Sequence, residues 1–438
     1  MRKSAFAFCL VVMALAVVAG MSNRAVGAGY AKDIVWQKNM GGATDETFHS
    51  MVLLPDESSV LAGYSNSRDG DIIGNQGKKD VLVANYAADG KLLWSRVYGG
   101  IENDLAYSID RTSDGGFVLA GSTEFEDVSI GYHGAFDALV MRLDSAGNLL
   151  WKRCYGGNNE DTAYSVQQTA DGGFILGGST HSVNGDVSMN NGAEDAWVVK
   201  LGSAGEIQWE KCLGGPLDDM ACCVQQTTDG GYIAAGRIAS NTEDELSDAY
   251  GLGNVLVAKL DASGTVKWQK NYGGVDEERA YSIHQTADGG YIVAGAAGST
   301  TGIVKGWKGS LDAWILKLDQ DGNIVWQNCF GGVDDDLAYS TRQVSGGGFV
   351  FVGETSSFDG DVQGTHSRND AWVVSLDSDG NRARSFGGVA SQAIGKARKS
   401  STEPDSARFA RPETRGHSET EIAARPRLSG SHPSGKPL

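Results

Sequence analysis

The chain has 438 residues, of which 61 are glycine, yet it keeps 10 Trp, 14 Tyr and 13 Phe, a composition of many tight turns around an aromatic core rather than of a disordered chain. Its net charge is −18, and the acidic excess lies before residue 389, because residues 389–438 carry nine Lys or Arg against five Asp or Glu. A surface this acidic repels phosphate backbones and no basic stripe interrupts it, so nucleic acid is excluded as an expected partner.

Residues 1–28 read as a Sec-type signal peptide: Arg2 and Lys3, an apolar run from Ala5 to Ala19, then the small-residue site Val26-Gly27-Ala28. Gly20, Ser22, Asn23 and Arg24 break the run before the ~20 apolar residues that a membrane span needs. The expected location is secreted, periplasmic or cell-surface.

Residues 29–388 form a repeat. Gly-Gly pairs begin at 41, 99, 156, 214, 273, 331 and 387, and Trp36, Trp94, Trp151, Trp209, Trp268 and Trp326 each precede a pair by five residues. Within one unit, AYSIHQT and YIVAG flank Asp288-Gly289-Gly290, while AWILKLD and NIVWQNCF flank the turn from Asp319 to Gly322. Gly and Asp supply the backbone conformations of tight hairpins, so each unit is predicted to be a four-stranded antiparallel sheet. Tyr291–Ala294, Ala313–Leu316 and Ala371–Val374 are continuously apolar, which predicts sheets covered on both faces. Blades packed between neighbours meet that demand, and the six tryptophans are expected to be structural.

The chain begins with an isolated fourth-strand copy, Asp33 to Asn39, whereas the last unit has an eroded fourth strand, Gly380 to Phe386, without Trp. The predicted fold is therefore an all-β propeller of six four-stranded blades closed by the N-terminal strand, with seven blades as the alternative. Residues 389–438, with five of the seven prolines, are predicted to be disordered and are read as a non-native ending rather than a flexible surface contact. Cys154, Cys212 and Cys329 share one offset at which other units carry Asn or Val, so a disulfide framework is not expected.

The segment WKRCYGGNNEDTAYSVQQTADGGFILGGST, from Trp151 to Thr180, followed by DAWVVKLGSAG, from Asp195 to Gly205, resembles a family of bacterial β-propeller repeats. The resemblance covers about residues 33 to 388 and implies an extracytoplasmic propeller, with no single reaction attached to it.

Strand counting places the Gly-Gly connections and the long loops between second and third strands on one face. That face carries Glu46, Asp104, Asp161, Asp219, Glu278 and Asp336, each four residues past the second glycine of its pair, with Asp45, Glu160, Asp218, Glu277 and Asp335 beside them. A carboxylate recurring in every blade is expected to accept backbone amides at a strand start; the competing reading is an electronegative rim for cations or a basic partner. The Asp-Gly-Asp and Asn-Gly-Asp triplets make Asp71, Asp186 and Asp361 the metal candidates, with Ca²⁺ the suitable ion. What differs among blades nominates a ligand site: Tyr132 and His133, Lys305 and Trp307, together with Glu124, Phe125, Glu126, His181 and residues 243–250.

No histidine spacing suits a metal, and no nucleophile elbow or phosphate loop occurs. The expected function is a non-enzymatic extracytoplasmic binding module with a protein or glycan partner at the cell envelope and no cofactor. The alternatives are a hydrolase or lyase acting on polysaccharide, and a Ca²⁺-stabilised structural propeller.

Overall fold

The computed structural model describes residues 37–124, 128–239, 253–365 and 369–382. It is an all-β, six-bladed propeller. Blade 1 comprises Glu46–Leu53, Ser59–Ser65, Asp80–Tyr86 and Leu92–Tyr98; blade 2, Asp104–Arg111, Phe117–Thr123, Asp137–Leu143 and Leu149–Tyr155. Blade 3 comprises Asp161–Gln168, Phe174–Thr180, Asp195–Leu201 and Ile207–Leu213; blade 4, Asp219–Gln226, Tyr232–Ile238, Asn254–Leu260 and Val266–Tyr272. Blade 5 comprises Glu278–Gln285, Tyr291–Ala297, Asp312–Leu318 and Ile324–Phe330; blade 6, Asp336–Gln343, Phe349–Thr355 and Asp370–Leu376. Strands pair antiparallel in sequence order, and blade 6 begins a fourth strand with the single pair Leu376↔Arg382.

The hairpins follow from their sequences. In blade 3, Thr169 and Gly173 close the turn through backbone bonds, the Asp171 carboxylate accepts the Thr169 hydroxyl and the Gly173 N–H, and Gly172 sits at φ +83°, where a side chain is strained. The same carboxylate faces Lys200 Nζ at 2.9 Å, although Lys200 is only 2% exposed. Arg142 with Asp114, Lys259 with Asp229 and Lys317 with Asp288 repeat this pair in blades 2, 4 and 5. Asn85 and Ser375 replace the cation in blades 1 and 6.

Blades interlock through their tryptophans. The rings of Trp94, Trp151, Trp209, Trp268 and Trp326 pack on Phe117, Phe174, Tyr232, Tyr291 and Phe349 of the next blade, with centroids 5.4–6.3 Å apart. Trp209 Nε1 also donates to Ala262 O, and Gly264, at φ +82°, leaves room for the Trp209 ring that any Cβ would strike. Trp36, and with it most of the expected closing strand, lies outside the described residues, as do residues 1–28 and 389–438.

Third strands of blades 1–5 are buried along their whole length, as the apolar runs predict. Blade 6 departs from this: Ala371 and Val373 are exposed, so the expectation of two covered faces fails at Ala371–Val374. Their equivalents Ala313 and Ile315 are covered by blade 6, whereas no described strand covers blade 6 in turn. The five described cysteines are buried and form no disulfide.

Candidate functional site

The Gly-Gly connections and the long loops do share a face: Asp104 N donates to Lys79 O and Asp161 N to Phe136 O, tying each connection to the long loop of the preceding blade. The recurring carboxylates cap that connection. Gly42, Gly100, Gly157, Gly215, Gly274 and Gly332 donate their N–H to Glu46, Asp104, Asp161, Asp219, Glu278 and Asp336 at 2.7–3.0 Å. These side chains therefore build the scaffold of the face.

A second row of carboxylates lies beneath it. Asp80, Asp137, Asp195 and Asp312 open the third strands, are 0% exposed, and accept from the N–H of Gln76, His133, Asn191 and Lys308 through Oδ2. In each, Oδ1 is buried without a hydrogen-bond partner. Each stands across the blade interface from a connection carboxylate: Asp80 from Asp104, Asp137 from Asp161, Asp195 from Asp219, Asp312 from Asp336. Burial, reinforced by the facing carboxylate, pushes Asp80 and Asp312 up to about 6 and Asp137 up to about 7. Blade 4 carries Asn254 at this place, opposite Glu278.

The metal candidates occupy three separate loops. Asp186 N donates to Gly156 O while Gly156 N donates back to Asp186 Oδ2 at 3.2 Å; Asp71 with Gly41 and Asp361 with Gly331 repeat the reciprocal pair. Asp361 also faces Lys308 Nζ at 2.9 Å. Among the described residues no group of three or more His, Cys, Asp or Glu is arranged to hold a metal ion.

The four ligand candidates fall at two equivalent loop positions. Tyr132 donates its hydroxyl to Ala135 O and Trp307 its Nε1 to Ser310 O, each to the carbonyl three residues on, so both aromatics staple their own loops, and Trp307 also packs on the blade 4–5 core. His133 is half-exposed, with Nδ1 3.8 Å from Asp137, where the next-but-two blade has Lys308. Lys305 is exposed and donates its N–H to Gln327. The structure does not bring Tyr132 and His133 together with Lys305 and Trp307, because two blades separate them. Phe125, Glu126 and residues 243–250 lie outside the described residues, and Glu124 accepts from Asn103.

Two sets of residues on this face escape a reading of motifs. Exposed apolar side chains stand on the connections and long loops: Ile73, Ile101, Val183, Met189, Leu217, Val275, Val333 and Phe358, from 45% to 87% exposed. None of the described large apolar side chains exposed to this extent sits in the turns of the opposite face. The signal for half of them was an apolar residue one or two places past the Gly-Gly pair. The second set lines the inner strands, where His49, Tyr107 and Tyr164 follow one another at 5.7 Å and Tyr281 meets Tyr339 at 5.2 Å. Above them Arg237 and Arg279 converge on Glu277 at 3.7 and 2.6 Å, and Lys79 lies 4.2 Å from the Tyr64 ring centroid.

No family model matches the chain. The regulatory protein FlaEY of Caulobacter vibrioides is 27% identical over 196 residues, which are 42% of this chain and 20% of that protein, so the chain spans a fifth of this relative's length. Similar solved structures are the WD40 domain of Neurospora crassa Pan2 (TM-score 0.41, 11% identity, 70% of this chain and 74% of that one) and Sqt1 of Chaetomium thermophilum (TM-score 0.38, 12% identity, 75% and 68%). A putative gluconolactonase is similar over 76% of this chain and 88% of its own, with TM-score 0.35 and 11% identity.

Proposed function

We propose that this protein is an extracytoplasmic binding module that docks a protein partner through the face carrying the Gly-Gly connections and the long loops. The observation that carries the reading is the set of eight exposed apolar side chains on the connections and long loops of that face; the others exposed to this extent, Leu93, Leu150, Val325 and Val373, lie within third and fourth strands. Apolar groups distributed through a polar surface are what an interface core buries on docking. The variable residues of the inner rim, Lys79, Arg237 and Arg279, supply the polar contacts that discriminate partners. The leader-like residues 1–28 support an address outside the cytoplasm.

The test compares variants. Val333→Asp/Phe358→Asp changes the docking face, and Gln320→Asp changes a turn of the opposite face; all three positions are exposed, so the fold is retained. A partner recovered from the native host's envelope by the wild type and by the Gln320 variant, but at least tenfold less by the double variant, supports the reading. Equal recovery by all three removes the loop face from the interaction.

A further inference from the structure

The junction between blades 1 and 2 holds a space where two other blades place an indole. A cavity of about 220 Å³ lies there, with Tyr98 of blade 1 on one side, Ile130, Leu139 and Met141 of blade 2 on the other, and Asp104 and Lys152 in its polar wall. It reaches solvent, because Gln76 and Leu149, which also line it, are exposed. The volume exceeds the ~150 Å³ that accepts a benzene ring and falls short of the ~300 Å³ of a drug-sized pocket, so it suits one small ring system.

Strand register shows what the space replaces. Leu139 stands opposite Gly121 of the second strand, as Trp197 stands opposite Gly178 and Trp314 opposite Gly295. Both indoles are buried, and each donates its Nε1–H to the fourth strand of its blade, Trp197 to Glu210 at 2.9 Å and Trp314 to Gln327 at 2.7 Å. Blade 2 has Lys152 at that place, opposite Met141 as Glu210 is opposite Val199 and Gln327 opposite Leu316. An acceptor of an indole N–H is thus exchanged for an ammonium that only donates. Leu82 and Leu256 repeat the leucine in blades 1 and 4, but the matching residues of their fourth strands are the uncharged Ser95 and Gln269. Among the described fourth strands, blade 2 alone joins the short apolar side chain to a cation. Asp104 is common to the ring: its carboxylate takes the Gly100 N–H and the Thr123 hydroxyl, as Asp161 of blade 3 takes those of Gly157 and Thr180.

We propose that this cavity binds a small aromatic carboxylate, with its ring against Tyr98, Ile130 and Leu139 in the place of the indole and its carboxylate on the Lys152 ammonium. The ring removes apolar surface of Ile130, Leu139 and Met141 from water, which supplies affinity. The ammonium selects the anion through a charge-assisted hydrogen bond. Aromatic α-amino acids belong to the same class, since an α-ammonium beside the carboxylate meets Asp104 in the same wall. Binding here needs no partner on the loop face.

Equilibrium dialysis of the full chain against indole-3-acetate, phenylacetate, L-tryptophan, tryptamine and indole reads the site. Indole-3-acetate is expected to bind roughly tenfold more tightly than indole or tryptamine, the effect of one charge-assisted hydrogen bond. Lys152→Gln should remove that preference and keep the affinity for indole. Leu139→Trp/Lys152→Gln copies the Trp314 and Gln327 pair of blade 5, so it is expected to melt no lower than the wild type and to lose every probe. Tryptophan bound as tightly as indole-3-acetate assigns the site to amino acids; weaker binding of tryptophan assigns it to acids without the amino group. Absence of binding by all three carboxylates at millimolar concentration overturns the proposal, as does a preference for indole or tryptamine, or binding that survives in a folded double variant. Should the double variant not fold, unchanged selectivity in Lys152→Gln overturns it alone.

Discussion

Trp151 of blade 2 stands edge-on to Phe174 of blade 3, with ring centroids 5.9 Å apart and planes at 67°, so the outer strand of one blade is fastened to the second strand of the next. Both rings belong to the repeat, and the contact recurs at four further junctions. Phe174 is 1% exposed while Trp151 is only partly buried. Trp151→Ala is expected to lower stability by about 2–3 kcal/mol, below the range for a fully buried aromatic. Trp151→Phe should recover more than half of it, as read by urea midpoints at constant m. An alanine variant with an unchanged midpoint contradicts the interlock.

A different contact fixes the hairpin inside each blade. Lys200 is buried beside Asp171, and Leu201 O also accepts from its Nζ. Asp171→Ala leaves that ammonium facing an apolar environment with one hydrogen bond fewer, and is expected to cost about 1–2 kcal/mol, reduced from the buried-pair range because Asp171 itself is half-exposed. The pH dependence carries the diagnosis. Burial works to raise the Asp171 carboxyl, but the Thr169 hydroxyl, Lys200 and the Gly173 amide outweigh it and hold it down to about 2. A depressed carboxyl stabilises fully above its unfolded value near 4 and loses that contribution as pH falls through 2. Thermal melts between pH 5 and 2 should show the variant falling less steeply than the wild type.

How far the sequence leads depends on whether a residue's role is local. Thr169, Asp171, Gly172 and Gly173 make their turn by themselves, so the hairpin is readable from four letters. The repeat spacing then supplies the sheet, and the sheet supplies the face on which the loops emerge. Val373 shows where this stops: its strand has the same apolar run as Ala313–Leu316, but its cover comes from the next blade around the ring, which a strand's own residues do not encode. Val333 and Phe358 are exposed for a similar reason, since the Val333 N–H donates to the Asp359 carboxylate of the loop that carries Phe358, a polar tie between two loops that leaves both apolar side chains outward. Tyr132 and Trp307 err the other way, being variable aromatics in loops that each close their own turn.

Asp186 serves as a test of the calcium reading. Its carboxylate already accepts the Gly156 N–H that its loop needs, and its own N–H is bonded to Gly156 O. Asp186→Ala removes the first bond and is expected to lower the melting temperature by a few degrees, in the range of a lost turn cap. The structural role predicts the same decrement with millimolar Ca²⁺ and with a chelator. A decrement that appears only with Ca²⁺ assigns the carboxylate to an ion instead.

The buried row beneath the loop face makes an opposite pH prediction. Asp137 is 0% exposed; its Oδ2 takes the His133 N–H and its Oδ1 takes nothing, while Asp161 and Asp186 on the neighbouring blade add negative charge and His133 stands half-exposed beside it. Burial first, then these carboxylates, push its carboxyl up to about 7. Between the unfolded value near 4 and about 7 the folded protein holds a proton that the unfolded chain has released, so stability falls as pH rises through that window. Asn in its place keeps the acceptor for His133 and abolishes the charge, which is what blade 4 already does with Asn254 opposite Glu278. Asp137→Asn is therefore expected to match the wild type at pH 4 and to exceed it at pH 8 by an amount on the order of 2 kcal/mol, measured by urea unfolding across the range. A variant less stable than the wild type at pH 8 would show that Asp137 is ionised and held by groups other than those facing it here.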